Sequence, residues 1–314
     1  MSVSDGLPGG AGMATQLSVP AGASQGSLRR HNLRLVYQAV ARAADPLSRA
    51  QLGALVGGSR ATASALVDAL IAGRLLEELD VRSSGRAGRP ATPVRVARGT
   101  LAGLGLEINV DYVAAQAVDL AGEVLVELVE PASPGDGTPD AAARDLAAAA
   151  SQVVGELSRR DIPVVGATVA VPGPVDRTTG ILRSAPNLGW GPVDLLPLLR
   201  EESGLDPLGI DNEATLAARA ELAAGGDPSA TFLYISGGVG IGGGIVQGGA
   251  LQTGCHGWAG ELGHVTVDTS GPPCACGSNG CLEQYAGRRA ILAAAGATPE
   301  GSGGGRLSAL LAEK

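Results

Sequence analysis

One histidine and three cysteines near the end of the chain have types and spacing suited to holding a metal ion. His264, Cys274, Cys276 and Cys281 are separated by nine, one and four residues. Imidazole and thiolate are ligands that Zn²⁺ prefers, and one histidine with three cysteines makes a closed, four-coordinate structural set. The pattern therefore predicts a structural zinc site formed by these four residues.

The same cysteines leave other interpretations open. A disulfide is disfavoured because Cys274 and Cys276 are only two positions apart, and because any pair leaves a third thiol over. A catalytic thiol needs a free base nearby, and His264 is already engaged in the zinc interpretation. The remaining alternative is that these cysteines are buried and bind no metal. Cys255 lies outside the spacing, and we expect it to be a small core residue.

The net charge of −8 hides a basic segment. Residues 27–100 contain 12 arginines and five acids, a balance of +7, whereas the rest of the chain carries 11 basic and 26 acidic residues, a balance of −15. A basic module joined to an acidic body is typical of a nucleic-acid-binding domain attached to a domain of another kind. An arginine-rich solvated helical surface is the alternative.

The basic segment has the pattern of a winged helix-turn-helix. Apolar residues at helical spacing predict a first helix over about 28–44, and Ser48 and Ser59 are placed to cap two further helices. A glycine turn at 57–58 separates those two helices, as in a helix-turn-helix. Alternating and glycine-rich residues over 75–96 then predict a β-hairpin wing.

The predicted DNA contacts lie on the third helix and on the wing. The N-terminal end of a recognition helix meets base edges and phosphates, and arginines in an extended wing suit phosphates or a narrow minor groove. The predicted contacts are Ser59, Arg60, Thr62, Ser64, Arg86 and Arg89. The predicted domain covers 27–100, follows a disordered tail over 1–26 and has operator DNA as its partner. A small helical interaction module is the alternative.

From residue 101 the pattern changes to that of an α/β protein. Three apolar β runs precede a long alanine-rich helix over about 139–159, a further strand, a helix ending near 224 and another strand. This order is similar to the first lobe of the two-lobed, actin-like, sugar-kinase-type ATPase fold. We expect a first lobe over 101–225 and a second over 226–314, which carries the zinc motif and is truncated before the lobe is complete.

Four runs together resemble the signature of the ROK family of repressors, open reading frames and kinases. They are GWAGELGHVTVDTSGPPCACGSNGCLE (257–283), APNLGWGPVDL (185–195), DNEATLAARAE (211–221) and ISGGVGIGGGIV (235–246). The resemblance covers about residues 28–314. The preceding helix-turn-helix, with GRAGRP in its wing, resembles the repressor branch of that family.

The resemblance implies a sugar site. The residues at the family's sugar-binding positions are Asn187, Asn212, Glu213, Glu261, His264 and Glu283. His264 would offer one ring nitrogen to zinc and the other to the sugar, since metal binding fixes the tautomer. A helix cap for Asn212 and a turn residue for Asn187 are the alternatives.

Three departures from the family's kinases predict that this chain does not phosphorylate the sugar. The first phosphate turn, Asp-x-Gly-Gly-Thr in those kinases, is Glu107-Ile108-Asn109-Val110-Asp111 here, without the glycines that let a backbone wrap phosphates. Glu213 takes the place of the aspartate base, and Val239 takes the place of a threonine in the second phosphate loop. The glycines Gly238, Gly240 and Gly242 remain there and can form a structural turn.

These patterns combine into one hypothesis. We expect a sugar-responsive transcriptional regulator of carbohydrate metabolism genes, of the repressor type, acting in the cytoplasm as a homodimer or higher homo-oligomer. No signal peptide or membrane-spanning run is expected. The alternatives are an ATP-dependent sugar kinase of the ROK family and a truncated sugar-binding remnant.

Overall fold

The computed structural model describes residues 25–57, 59–79, 92–131, 137–227 and 229–296. The chain forms two compact units, divided between Arg95 and Val96. Residues 1–24 of the predicted tail, and the part of the predicted wing that carries Arg86 and Arg89, lie outside the described ranges. None of the described helices is both long and apolar enough to cross a membrane.

Three helices and a small sheet make up the first unit. The helices are α1 (Gln25–Arg42), α2 (Arg49–Leu55) and α3 (Arg60–Ala72), and the strands are β1 (Leu47–Ser48), β2 (Leu76–Glu78) and β3 (Pro93–Val96). Strand β3 lies between β1 and β2, and it runs antiparallel to β1. The predicted sequence of helices and paired strands is therefore present among the described residues.

Both predicted helix caps of this unit are present. The Ser48 side chain accepts a hydrogen bond from the Gln51 amide, and the Gln51 side chain bonds back to the Ser48 backbone in a capping box. Ser59 Oγ accepts from the Thr62 amide at 3.1 Å. The inner face predicted for α3 is buried and consists of Ala63, Leu66, Val67 and Leu70.

Arg49, at the start of α2, ties the elements of this unit together. Its guanidinium contacts Glu78 Oε1 on β2 at 2.7 and 3.1 Å, Asp68 Oδ1 on α3 at 2.7 Å and the Ser64 carbonyl oxygen at 3.2 Å. The Arg49 side chain is 24% exposed, whereas Asp68 is 62% exposed. One guanidinium therefore fixes α3 against both α2 and β2.

Replacing Arg49 by alanine is expected to loosen α3. Because both carboxylate partners are partly solvated, we expect a loss of about 1–2 kcal/mol in the stability of the first unit. Hydrogen exchange of the α3 amides in the full chain measures this. Arg95→Ala, which breaks one pair with Glu77 at 2.6 Å, is the matched control and should cost less than about 1 kcal/mol. Equal protection of α3 in Arg49→Ala and the unmodified chain would contradict the expectation.

A five-stranded sheet is the centre of the second unit. Its elements are β4 (Ala102–Ile108), β5 (Tyr112–Asp119), β6 (Val124–Pro131), α4 (Pro139–Arg159), β7 (Val164–Val171), α5 (Leu195–Ser203) and β8 (Leu208–Asn212). The strand order is β6-β5-β4-β7-β8, with β4, β7 and β8 parallel and β5 antiparallel to both β4 and β6. Helices α4 and α5 contribute to the buried core of this sheet. The predicted three-strand meander and long helix are confirmed.

A smaller antiparallel sheet follows in the chain. The strands of this sheet are β9 (Phe232–Gly237), β10 (Ile241–Gln247) and β11 (Ala250–Gln252). Helix α6 (Glu213–Ala224) precedes them in the chain, and helices α7 (Glu283–Ala286) and α8 (Arg288–Ala294) follow them. Strand β10 pairs with both β9 and β11. Short 3₁₀ turns occur at Pro186–Leu188 and Leu262–His264.

The glycine-rich run before residue 247 is largely strand. Gly242 and Gly244 lie on β10 and face α6: a Cβ atom added to them would lie 2.8 Å from the Ala214 Cβ and 2.4 Å from the Ala218 Cβ. These two glycines therefore let strand and helix approach closely. The interpretation of Gly242 as part of a turn was wrong, because strand-to-helix packing also requires the absence of a side chain.

Candidate functional site

The four predicted metal ligands converge on one point. Their donor atoms all lie within 4.8 Å of one another, with 3.6 Å between Cys274 Sγ and His264 Nδ1 and 3.6 Å between Cys276 Sγ and Cys281 Sγ. In a tetrahedral zinc site the donor atoms are about 3.5–3.8 Å apart, given the usual Zn–N and Zn–S bond lengths. The residues present can therefore hold a four-coordinate metal ion.

A short backbone ladder brings these ligands together. The Val267 amide donates to the Gly280 carbonyl oxygen at 2.8 Å, and the Leu282 amide donates to the Val265 carbonyl oxygen at 2.9 Å. Gly280 has a φ of +61°, and a Cβ there would lie 1.6 Å from the Asp268 carbonyl oxygen. Only glycine fits at this position, so the tight return of the chain toward His264 depends on it.

Cys255 lies apart from this cluster. The residue is exposed, and the expectation of a small core residue was wrong. It precedes His256, whose ring lies 5.4 Å from the ring of Trp258, and Trp258 is itself 44% exposed. A small side chain in a glycine-rich loop does not carry enough apolar surface to determine burial.

Two glutamates of the predicted sugar site lie close together and are largely removed from water. Burial, followed by the carboxylates of Glu107 and Glu261, raises the pKa of Glu213. Burial also raises the pKa of Glu261; His264 opposes this effect and Glu283 adds to it. Glu213 is therefore near both Glu261 and Glu107, and Glu261 is near Glu283. The sequence analysis placed Glu107 only in the altered phosphate turn.

A tyrosine joins this group from β5. The Tyr112 hydroxyl donates to Glu107 Oε1 at 2.8 Å, and Asn109 Nδ2 donates to the same oxygen at 3.0 Å. Burial and the Glu107 carboxylate raise the pKa of Tyr112. The sequence analysis missed this tyrosine, because nothing in its immediate surroundings distinguishes it from a half-buried strand residue.

Two more residues of the predicted sugar site, Asn187 and Glu283, lie close to Gly240. Glu283 Oε2 accepts a hydrogen bond from the Ile241 amide at 3.0 Å. A Cβ added to Gly240 would contact the Glu283 carboxylate and would lie 3.7 Å from Asn187 Nδ2. Asn187 is exposed on its 3₁₀ turn, so its amide faces both solvent and this group.

Asn212 has a structural role in the described fold. Its Oδ1 accepts from the Ala214 and Thr215 amides at 2.9 and 3.1 Å, which caps α6, and its Nδ2 donates to the Gly173 carbonyl oxygen at 3.1 Å. The cap alternative for Asn212 is therefore present. An amide nitrogen carries two hydrogens, so a second donor remains for a ligand.

The altered phosphate turn after β4 uses its backbone amides internally. The Asn109 amide donates to the Tyr112 carbonyl oxygen at 2.9 Å, and the Val110 amide donates to Asn109 Oδ1 at 2.8 Å. In the second loop the Gly238 amide donates to the Gly240 carbonyl oxygen at 2.9 Å. Phosphate-binding loops present free amides to the anion, and these three amides already have acceptors.

An ion pair joins two parts of the second unit that are far apart in the sequence. Arg288 Nη1 on α8 lies 2.9 Å from Asp111 Oδ2 in the β4–β5 turn, and the two side chains are 14% and 27% exposed. These residues are 177 positions apart. A single sequence gives no signal that could pair them, and the sequence analysis missed Arg288.

Replacing Glu213 by glutamine is expected to stabilise the protein at neutral pH. The folded-state pKa of Glu213 lies above its ordinary value of 4.5, so the folded chain holds this proton more tightly than the unfolded chain. The associated stability is present below pH 4.5 and is lost as the pH rises through the raised pKa. Glu213→Gln should therefore gain about 0.5–1 kcal/mol near pH 7 and show a shallower decline with pH.

Urea unfolding at several pH values between 4 and 8 measures this difference. Glu221→Gln, on the exposed side of the same helix, is the matched control and should change the free energy of unfolding little at any pH. A Glu213→Gln variant less stable than the unmodified chain at pH 7 would contradict the expectation.

The predicted DNA contacts that the structure describes lie around the start of α3. Ser59 and Thr62 are exposed, and their hydroxyl oxygens are 3.0 Å apart. Ser64 is half-buried, and its carbonyl oxygen is the one bound by Arg49. Arg60 is the first residue of α3.

The sheets and the site define an actin-like fold of the sugar-kinase type. A solved ROK family transcriptional regulator, described as a homolog of E. coli MLC protein, superposes with a TM-score of 0.67 at 26% identity, covering 85% of this chain and 67% of the other. A ROK family glucokinase from Streptomyces griseus, solved with glucose and AMPPNP, gives a TM-score of 0.52 at 31% identity, covering 61% and 59% of the two chains.

The sequence comparisons agree with the fold. Residues 103–312 match the model of the ROK family, and the chain belongs to this family. It is 32% identical over 249 residues to a xylose repressor of Caldicellulosiruptor bescii, covering 78% of this chain. The chain spans 61% of the length of that repressor.

Proposed function

We propose that this chain is a sugar-responsive transcriptional regulator of the repressor type, whose body binds a sugar without phosphorylating it. The observation that carries the proposal is the presence, in one chain, of a helical unit whose capped α3 has an exposed N-terminal end and of a ROK body whose phosphate turn lacks glycines. The similarity to a xylose repressor and to a ROK transcriptional regulator supports it.

In this proposal the first unit is a winged helix-turn-helix over 27–100 that binds operator DNA. The polar start of α3 meets base edges and phosphates through Ser59, Arg60, Thr62 and Ser64, and the wing adds Arg86 and Arg89. A homodimer, or a higher homo-oligomer, would match the two-fold symmetry of an operator. The protein acts in the cytoplasm.

The body is proposed to have two lobes, over 101–225 and 226–314, with the sugar bound between them. Asn187, Asn212, Glu213, Glu261, His264 and Glu283 would contact its hydroxyl groups. Zn²⁺ would be held by His264, Cys274, Cys276 and Cys281 in a structural role, and it would supply no chemistry to the sugar. With Nδ1 of His264 facing the thiols, Nε2 is left to donate to the sugar.

Sugar binding would act on DNA binding by a shift in population. A ligand changes an equilibrium only by binding one state more tightly than the other. The sugar would therefore release the operator if it favours the state in which the lobes are closed and the DNA-binding units are wrongly spaced.

Selection of bound duplexes from a random-sequence DNA pool, followed by titration with D-xylose, D-glucose and other sugars, tests this proposal. We expect salt-dependent binding to a selected sequence and a weakening of that binding by at least one sugar. The proposal is refuted if no DNA sequence is selected, or if the selected DNA binds equally tightly with and without every sugar that the chain binds.

An ATP-dependent sugar kinase is the second candidate. It is favoured by the Glu213 carboxylate, whose raised pKa suits a general base, and by the similarity to a glucokinase. The internally bonded amides after β4 speak against it. ATP-dependent formation of a sugar phosphate, lost in Glu213→Gln, would establish this candidate in place of the first.

A further inference from the structure

Strand β9 is an open edge of the smaller sheet. The strand order is β11-β10-β9, and none of the described strands pairs with the outer side of β9. Leu233 and Ile235 on this strand are large apolar residues, yet they are 52% and 60% exposed. A sheet edge with exposed apolar side chains is a template for pairing with another chain.

The backbone groups of Leu233 and Ile235 point to this open side. In an antiparallel ladder, hydrogen-bonded residue pairs alternate with pairs that exchange no hydrogen bond. Gly237 faces Ile241 of β10, and the Ile241 amide is bonded to Glu283 instead of to β9. The pairs two and four positions further along β9 share this pattern. The amides and carbonyl groups of Leu233 and Ile235 are therefore directed away from β10.

The space beside the strand is open along its length. Residues 232–235, with Glu221 and Leu222 of α6, line a pocket of about 450 Å³. Successive side chains of a strand alternate between the two faces of a sheet, so a pocket lined by four consecutive residues lies along the edge of the strand. Within the described ranges, this edge has room for a further strand.

The other described edges of the second unit are protected in ways that β9 is not. Strand β6 contains Glu127 and Glu130 and ends at Pro131. Strand β8 contains Asp211, and β11 has only three residues. Charges, prolines and short length are the devices that keep sheet edges from pairing. Strand β9 has six residues, FLYISG, with no charge and no proline, so its edge has none of these devices.

The charge of the chain favours a second copy of itself as the partner. Residues 228–260 contain no Asp, Glu, Lys or Arg, whereas 17% of the whole chain is charged and its net charge is −8. Two acidic copies repel each other where their charged surfaces meet, and this stretch is a neutral region where they can meet without that repulsion. A nucleic acid or another charged partner would find no opposite charge on the strand.

We propose that two copies of this chain pair through β9, in antiparallel orientation about a two-fold axis at Tyr234. A two-fold axis brings the same surface of both copies together. This register places Leu233 opposite Ile235 of the second copy, so both exposed apolar side chains gain a cross-strand partner. Their outward amides and carbonyl groups bond to one another, and the two sheets become continuous. The inference goes beyond the proposed function, because the pairing requires neither DNA nor a sugar.

Sedimentation equilibrium of the full chain over a range of concentrations, without DNA or sugar, tests the pairing. We expect the unmodified chain to dimerise, and Ile235→Lys should weaken the association at least about tenfold, because it places a charge on the paired edge. Val129→Lys is the matched control, since Val129 is 54% exposed on the edge strand β6, and it should leave the association unchanged. A monomeric unmodified chain overturns the proposal, as does a dimer that Ile235→Lys leaves intact.

A single cysteine tests the register without adding charge. Tyr234 would face its own copy in a pair without hydrogen bonds, where the Cα atoms are about 4.5 Å apart, and a disulfide can span that distance. Tyr234→Cys in a Cys255→Ser background should therefore form a covalent dimer on mild oxidation, and Val129→Cys in the same background should not. Equal crosslinking of these two variants overturns the proposal.

Two further outcomes separate this inference from its competitors. If deletion of residues 297–314 converts a monomer into a dimer, the end of the chain itself covers β9, and the proposal is overturned. If the chain pairs through β9 but binds neither DNA nor any sugar, the proposed function fails and this inference stands. Failure of the β9 pairing alone leaves the proposed regulator in place, with its dimer formed through another surface.

Discussion

Cys281→Ser is expected to abolish metal binding and to unfold the segment between His264 and Glu283. Cys281 is fully buried, and its Sγ lies 3.6 Å from Cys276 Sγ. A serine hydroxyl is a poor zinc ligand, and the three remaining donors would leave an open position in a closed structural set. The segment has few apolar groups of its own, so we expect a loss of at least about 3 kcal/mol together with the metal.

Metal analysis of the purified protein and thermal unfolding measure these two losses. Cys255→Ser is the control, because Cys255 is an exposed cysteine outside the cluster, and it should retain both metal and stability. Cys281→Ser protein with an unchanged metal content would remove Cys281 from the ligand set. Metal-free unmodified protein with the same unfolding temperature would refute a structural metal altogether.

Glu261→Gln is expected to weaken sugar binding while making the protein more stable. The hydrogen bonds that a buried carboxylate accepts from sugar hydroxyls contribute about 1.5–3 kcal/mol each, so affinity should fall by about 10–150-fold. Burial and Glu283 both raise the pKa of Glu261, which means that its charge is costly in the folded state. Removing that charge should therefore raise the free energy of unfolding near pH 7.

The opposite signs of these two effects distinguish a ligand-binding role from a structural one. Titration with the sugar that binds most tightly gives the first quantity, and urea unfolding without sugar gives the second. Glu127→Gln, at an exposed position of β6, is the control and should leave sugar affinity unchanged. A Glu261→Gln variant that loses stability and affinity together would show that Glu261 acts through the fold.

Local sequence patterns were sufficient to predict several elements of this chain. The caps at Ser48 and Ser59, the stripe on α3 and the meander β4–β6 follow from spacing of two or 3.6 residues, and all were found. The metal cluster could also be predicted, because its last three ligands lie within eight residues and the required turns carry glycine.

Contacts between distant elements could not be predicted in this way. The pairing of Asp111 with Arg288 and the position of Glu213 near Tyr112 depend on how distant elements pack, and neither contact has a local signal. Gly242 was assigned to a turn because a glycine gives the same signal whether it permits a turn or close packing. Cys255 was wrongly placed in the core, because the residue type alone does not determine whether a side chain is buried.

The segment from Glu261 to Arg288 has a consequence for how such proteins can be re-engineered. Several of its backbone hydrogen bonds are internal, as between Val265 and Leu282 and between Val267 and Gly280. The same stretch contains Glu261 and Glu283 of the predicted sugar site, the four candidate metal ligands and the arginine that pairs with Asp111. An exchange of this segment between family members therefore has to keep its two partners outside the segment, Ile241 and Asp111.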